Sequence, residues 1–318
     1  MKHRLLQLVP LSPALDTALA ATYAVHPLWQ EADPEAFLAR QGADFVGLAT
    51  SAPAGASREL IAALPKLRVI SSRGIGLDKI DLDSARQRGI QVGNTPGVLT
   101  DCVADLAFGL LIDVARGMTA ADRFVRAGRW QQEKFGLTAR VSGKRLGIVG
   151  LGQIGRAIAK RAVGFDMAVR YFNRTPAADV AFVREASLEA LAQWADFLVV
   201  AVAGGSATHH LISAAVLEAL GPEGFLINIA RGSVVDEAAL VSSLLAGGLA
   251  GAGLDVFDLE PNVPAALLSL DNVVLLPHIA SGTVDTRKAM EDLVLAYMQQ
   301  SRAENNQTGT TLGTRRSA

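Results

Sequence analysis

Short apolar runs alternate with helical patterns twice along this chain, and that rhythm restricts it to parallel sheets covered by helices. In the first series strands are expected over Leu5–Val9, Phe45–Ala49, Arg68–Ser71 and Ile90–Gly93, with helices near Ser57–Ala63 and Leu82–Arg88. The loop Asn94-Thr95-Pro96-Gly97 ends it. Thr100 or Asp101 can then cap a helix to about Arg116. Val103, Leu106, Phe108, Leu110 and Leu111 make that helix apolar nearly all round. It must be buried on more than one side, within a core or partly across a subunit interface. The second series places strands over Arg145–Val149, Ala168–Phe172, Phe197–Val202, Phe225–Asn228, Gly251–Asp255 and Val273–Leu276. Two doubly wound α/β domains follow, one inserted within the other: residues 1–97 plus 282–300, and residues 98–281. The polar end lacks an apolar face, so the last helix is expected to finish near Met298, with residues 301–318 a disordered tail.

Composition narrows the function classes. The chain has 318 residues, room for about two domains of ~150 residues each. Its 30 basic and 31 acidic residues leave no positive field to attract nucleic acid or an anionic membrane. Cys102 is the only cysteine, which excludes an intrachain disulfide and a thiolate metal cage. None of the five histidines forms a His-x-x-x-His pair, so no metal is expected. The longest apolar runs, such as Phe197 to Ala203, fall far short of the ~20 residues of a membrane-spanning helix. Lys2-His3-Arg4 before Leu5-Leu6 faintly resembles an export signal, but Gln7, Pro10, Pro13 and Asp16 interrupt it. A cytoplasmic protein is the expectation.

The sharpest motif is Gly150-Leu-Gly152-Gln153-Ile154-Gly155, directly after one apolar strand and opening a helix. Alone such a run is weak; in this context it reads as a dinucleotide-binding turn of a Rossmann-like domain. The first glycine allows the tight turn, the second lets a pyrophosphate approach, and the third lets helix and strand pack closely. N–H groups near Gln153 and Ile154 would face the anion. An NAD site usually carries an acid some 20 residues on. Here the next strand ends in Asn173-Arg174-Thr175. Two hydrogen-bonding side chains and a guanidinium suit a 2′-phosphate, which favours NADP and NADPH, with NAD an alternative.

Three more segments end at expected strand tips: Asn228-Ile-Ala230-Arg231, Asp255-Val-Phe-Asp-Leu-Glu260, and Pro277-His278-Ile-Ala-Ser281. Ligands of open α/β sheets bind outside the carboxyl ends of the strands. Arg231 can pair with a substrate carboxylate and polarise a ketone. His278 can donate a proton as hydride arrives, and Glu260 can orient the imidazole and stabilise its protonated form. Each also has an ordinary structural role open to it, as ion-pair partner, turn residue or satisfied core histidine.

Together these motifs closely resemble the D-isomer-specific 2-hydroxyacid dehydrogenases, glyoxylate, hydroxypyruvate and hydroxyphenylpyruvate reductase branch, from about Leu67 to Met290. The resemblance implies catalysis by Arg231, Glu260 and His278, with Asp255 near the nicotinamide carboxamide and Val202, Ala203, Ala230 and Ser281 among the cofactor contacts. It implies a flavodoxin-like substrate domain whose loop Gly74-Ile75-Gly76 binds the substrate carboxylate, and a homodimer built through the nucleotide domain. Arg73, less usual at the head of that loop, offers a donor for a second polar group. Ala203-Gly204-Gly205 stands where many relatives carry a proline. A formate dehydrogenase would resemble this pattern with glutamine in place of Glu260. A non-enzymatic dinucleotide sensor on the same scaffold remains the reading from another class.

Overall fold

The computed structural model describes residues 2–311. The chain divides into two units, one running to Leu99 and resuming at Val284, the other Thr100–Thr283. The expected junctions, 97/98 and 281/282, lie two residues from these.

In the first unit the strands are β1 (Arg4–Gln7), β2 (Ala24–Pro27), β3 (Phe45–Ser51), β4 (Val69–Arg73) and β5 (Gln91–Gly93). All pair in parallel, in the order β2-β1-β3-β4-β5, the doubly wound 2-1-3-4-5 arrangement. Helices α1 (Pro13–Thr22), α2 (Pro34–Gln41), α3 (Arg58–Ala63) and α4 (Leu82–Gln87) connect them. Strand alternation divides the core. Leu6, Leu48 and Ile70 pack into one apolar cluster, while Leu5, Ala49 and Val69 pack with Val294 and Met298 in another.

The sequence reading placed nothing over β2, α1 or α2. The two helices nevertheless carry a start signal: Ser12 and Asp33 cap them through their side-chain oxygens, each followed by proline at the first helical position. β2 is short and only partly buried, so it shows no periodic run.

The second unit opens with α5 (Thr100–Arg116) and α6 (Met118–Arg126). Its strands are β6 (Arg145–Val149), β7 (Ala168–Phe172), β8 (Val183–Arg184), β9 (Phe197–Val200), β10 (Phe225–Asn228), β11 (Gly251–Leu254) and β12 (Val273–Leu275). They form one parallel sheet, β12-β11-β10-β9-β6-β7-β8, whose order reverses between β6 and β9. Helices α7 (Gln153–Ala162), α8 (Leu188–Trp194), α9 (Ala214–Leu220) and α10 (Glu237–Leu245) flank it. β9 stops two residues before its expected end, because Ala201 and Val202 turn against the glycine loop at Gly150.

α5 is a core helix. Val103, Ala107, Leu110, Leu111 and Val114 are buried, and the helix packs on β10, β11, β12 and α7. Gly253 of β11 admits it closely, since a Cβ there would stand 3.1 Å from Leu110 Cβ.

The last helix, α11 (Val284–Thr311), returns to the first unit. Its Met298 is fully buried, Tyr297 lies against Gly93, and Tyr23 Oη donates to the Met298 carbonyl at 2.8 Å. Two expectations are corrected here. The helix does not finish near Met298, and its backbone continues through residues 301–311 that read as a disordered tail. Ala303, Glu304 and Gln307 are good helix formers with no proline to stop them, so an existing helix propagates without needing an apolar face. Residues 312–318, the rest of that expected tail, lie outside the described residues.

Among the described residues no helix is long and apolar enough to cross a membrane, and no cluster of His, Cys, Asp or Glu could hold a metal ion.

Leu110, 2% exposed between α5 and β11, tests the core. Leu110→Ala should lower unfolding free energy in urea by about 2–5 kcal/mol, through lost burial and a residual cavity. A loss below ~1 kcal/mol would show that α5 is not packed as described.

Candidate active site

The three glycines of the fingerprint meet three different constraints. Gly150 sits at φ +98°, and a Cβ there would press on the Ala201 carbonyl at 2.8 Å. Gly155 lies under the turn, where a Cβ would fall 2.1 Å from the Gly150 carbonyl oxygen. At Gly152, which caps α7, a Cβ would meet nothing within 4 Å. The turn is therefore closed where helix and strand touch and open where a ligand would approach. No side chain caps α7, so the N–H groups of Gln153 and Ile154 at its first turn have no intrahelical acceptor. The residues present fit a bound dinucleotide.

At the tip of β7, Asn173 also supports the glycine turn. Its Oδ1 accepts the Leu151 N–H at 2.7 Å and braces the glycine turn, leaving only the amide's donor end for a ligand. Arg174 and Thr175 are exposed at this tip. Sequence reasoning missed the residues that hold them. Arg184 on β8 donates to the carbonyls of Asn173 and Arg174, Arg156 donates to Ala178, and Tyr171 Oη accepts from Ala177 N–H. An arginine on a two-residue edge strand gives no local signal of such a role.

Beside the glycine turn, Val202 stands 2.8 Å from a Gly150 Cβ position, and the Ala203 carbonyl accepts from Thr208 at 2.7 Å. His209 and His210 stack on each other in the exposed loop beyond.

The carboxyl ends of adjacent strands β10, β11 and β12 carry the ionisable residues. After β10, Asn228 accepts from Ala230 N–H at 3.0 Å and donates to the Arg231 carbonyl at 2.9 Å, closing a tight turn. Within it Arg231 Nη1 donates to the Ala230 carbonyl at 2.7 Å. The next residue is glycine because a Cβ on Gly232 would overlap the Phe257 backbone at 1.9 Å. The Arg231 turn thus rests directly on the loop leading to Glu260.

Glu260 accepts from the Phe257 N–H at 3.2 Å, and its Oε2 lies 2.8 Å from His278 Nδ1. Burial works to raise its pKa. The His278 hydrogen bond and charge, the Phe257 N–H and the charge of Arg231 outweigh this and hold the carboxyl below its ordinary value. Both side chains remain about a third exposed.

Asp255 directly follows β11. It has no exposed surface, and its oxygens accept from Ile279 N–H at 2.7 Å and Ala280 N–H at 2.9 Å. Burial raises its pKa against the pull of those two donors. It clamps the turn that carries His278 and, just beyond, Ser281. The His278 N–H donates to the Asp255 carbonyl at 2.9 Å, and His278 itself is held at φ +54°, a left-handed conformation unusual for histidine.

In the first unit, the loop Gly74-Ile75-Gly76 follows β4. Thr95 Oγ1 accepts from Gly74 N–H at 3.1 Å, Thr95 N–H donates back to the Gly74 carbonyl, and Asn94 holds the Ile75 carbonyl at 2.8 Å. Gly74 is thereby committed, while the N–H groups of Ile75 and Gly76 make no hydrogen bond among the described residues.

This combination, a doubly wound sheet with a fingerprint turn at its switch point and an Arg, a Glu and a His on neighbouring strand ends, defines a dinucleotide-dependent dehydrogenase. Residues 108–280 match the family described as D-isomer specific 2-hydroxyacid dehydrogenase, NAD binding domain. The chain is 47% identical to hydroxyphenylpyruvate reductase of Plectranthus scutellarioides over 92% of its own length and 94% of that protein's. It is 45% identical, with the same coverage, to glyoxylate/hydroxypyruvate reductase A of Arabidopsis thaliana. The structure of an NADPH-dependent glyoxylate/hydroxypyruvate reductase from Sinorhizobium meliloti, in complex with NADP and malonate, superposes with a TM-score of 0.85 at 41% identity, covering 93% and 92% of the two chains. The chain belongs to the D-isomer-specific 2-hydroxyacid dehydrogenase family, and it is an NAD(P)-dependent enzyme of that family.

The Glu260–His278 pair can be tested by its pH response. Glu260 stays ionised well below neutrality, so its attraction for a protonated His278 is present throughout the working range. If that protonated ring donates to a ketone, reduction fails as pH rises. Glu260→Gln keeps an acceptor but loses the charge, so the alkaline fall in kcat/KM should move to lower pH, with much of the rate recovered in acid. His278→Gln should stay slow at every pH. A Glu260→Gln profile that scales down without moving would rule out this coupling.

Proposed function

We propose that this enzyme reduces a small 2-keto acid, of the glyoxylate or hydroxypyruvate kind, to the D-2-hydroxy acid, with NADPH as the preferred donor. The observation that carries the reading is the 2.8 Å contact between Glu260 and His278 Nδ1, which leaves the other ring nitrogen to act on substrate. The reduced nicotinamide, when bound, supplies the hydride. Arg231 pairs with the substrate carboxylate and polarises the carbonyl oxygen as negative charge develops there. His278, protonated, delivers the proton to that oxygen from Nε2, and Glu260 stabilises the imidazolium beforehand. In the first unit, Gly74, Ile75 and Gly76 are assigned to substrate binding through their backbone. Reduction of one ketone to one alcohol thus uses one hydride and one proton.

Gly150, Gly152, Gln153, Ile154 and Gly155 are assigned to the pyrophosphate, and Asn173, Arg174 and Thr175 to a 2′-phosphate. Val202, Ala203, Ala230, Asp255 and Ser281 are assigned to the rest of the cofactor pocket. NADPH preference is supported by the absence of any carboxylate from the Asn173–Thr175 tip and by Arg184 adding positive charge behind it. A homodimer through the nucleotide-binding unit is supported by the exposed apolar side chains of Met118, Trp130 and Leu137. A cytoplasmic location rests on the single cysteine.

Steady-state rates with glyoxylate, hydroxypyruvate, pyruvate and an aryl-pyruvate, each with NADPH and NADH, test the activity directly. Within that panel Arg231→Lys should lose at least about tenfold in kcat/KM, roughly 1.4 kcal/mol, because lysine keeps the charge but not the planar fork. Wild-type efficiency in that variant would make Arg231 structural. Arg174→Ala should raise KM for NADPH at least about tenfold and that for NADH by less than about threefold. Equal changes for both cofactors would remove the assignment to the 2′-phosphate.

A further inference from the structure

The strand pairing that supports β7 runs out before it reaches the tip. β8 is two residues long, and its last residue, Arg184, is in register with Tyr171 of β7. Glu185 N–H donates to the Tyr171 carbonyl at 2.8 Å. Beyond that point no backbone N–H reaches the carbonyls of Asn173 and Arg174 among the described residues. The Arg184 side chain takes over. Its Nε and Nη2 donate to the Asn173 carbonyl at 3.0 and 2.9 Å, and Nη2 also reaches the Arg174 carbonyl at 3.2 Å. Farther along, Tyr171 Oη accepts the Ala177 N–H at 3.1 Å, and Arg156 donates to the Ala178 carbonyl at 2.8 Å. Thr175 and Pro176 alone separate these two sets of bonds.

Satisfying the backbone does not require a guanidinium here. Arg174 is exposed, and water would serve its carbonyl as well. What Arg184 adds is order, because a planar fork on two successive carbonyls removes conformations that a solvated loop would sample. Nor does Arg184 neutralise an acid. The adjacent Glu185 is taken by Arg170 at 2.6 Å, and no carboxylate pairs with Arg184 or Arg174 among the described residues. A binding loop made rigid in advance lowers the ordering cost that a ligand must otherwise meet.

We propose that Arg184 is a positioning residue for cofactor selectivity. By fixing the backbone at Asn173 and Arg174 it holds Arg174 ready for a 2′-phosphate, and its fork matters here beyond its charge. The inference rests on the reading that Arg174 and Thr175 receive that phosphate. A cofactor without the phosphate draws nothing from Arg174, so only the phosphorylated one should register the loss of Arg184. Lysine at this position keeps the positive charge but is a point donor that cannot span both carbonyls. Arg184 is exposed on an edge strand, so the replacement disturbs no core.

The experiment measures Kd for NADPH and for NADH by calorimetry in the wild type, Arg184→Lys, Arg174→Ala and the double variant. In Arg184→Lys the Kd for NADPH should rise at least about fivefold, and that for NADH less than about twofold. The retained NADH binding reports that the variant is folded. Once Arg174 is alanine, the same lysine should cost NADPH less than about twofold, since nothing is left to position. A Kd for NADPH unmoved by Arg184→Lys, an equal rise for both cofactors, or an undiminished loss in the Arg174→Ala background overturns this inference alone. A wild type that binds the two cofactors equally overturns the NADPH reading and this inference with it.

Discussion

The candidate site depends on one desolvated carboxylate. Asp255 lies at the end of β11 with no exposed surface, a position that would be prohibitive without hydrogen bonds. It receives two, from the N–H groups of the two residues that directly follow His278. Those bonds, with the one from His278 N–H to the Asp255 carbonyl, force the chain after β12 to fold back over β11. His278 takes a left-handed backbone as a consequence, and its Nδ1 comes to rest on Glu260, which leaves β11 by the same loop. The geometry of the Glu260–His278 pair is thus held by a third residue, Asp255. Local strain at one position is tolerated because the surroundings over-determine it.

A second constraint is close approach of backbones. Where Gly232 meets Phe257, and Gly155 meets Gly150, there is no room for a Cβ. The first contact joins the turn carrying Arg231 to the loop carrying Glu260; the second seats α7 on β6 and points its free N–H groups at the turn. Charge then follows geometry. Arg231 and His278 both help hold Glu260 ionised against burial, so the three groups form one electrostatic neighbourhood although they come from three separate strand ends.

Much of this was legible in the amino-acid order. β6, β7 and β10 run over the residues expected, because a strand buried on both faces reads as a continuous apolar run bounded by turns. Arg231, Glu260 and His278 could be singled out because each follows such a run, and parallel strands bring their carboxyl ends to one edge. α1, α2 and α6 were overlooked because their apolar periodicity is short, although the capping residues of the first two were there to be read. The continuation of α11 past Met298 is hidden for a related reason: the polar residues there show no apolar periodicity, and helix propensity alone does not mark an end.

What the sequence by itself determined is the fold class, the order of elements, the glycine turn and the residue types at the strand ends, since all of these follow from local periodicity and backbone sterics. Tertiary structure alone decided how those residues are engaged. Asp255 clamps the turn after His278; Asn173 braces the glycine turn through its oxygen; Arg73 stands 3.6 Å from Glu291, more than two hundred positions away. The physical reason is common to the three. A polar side chain's role is set by which partners reach it once it is removed from water, and those partners are supplied by packing between distant segments, which no local pattern records.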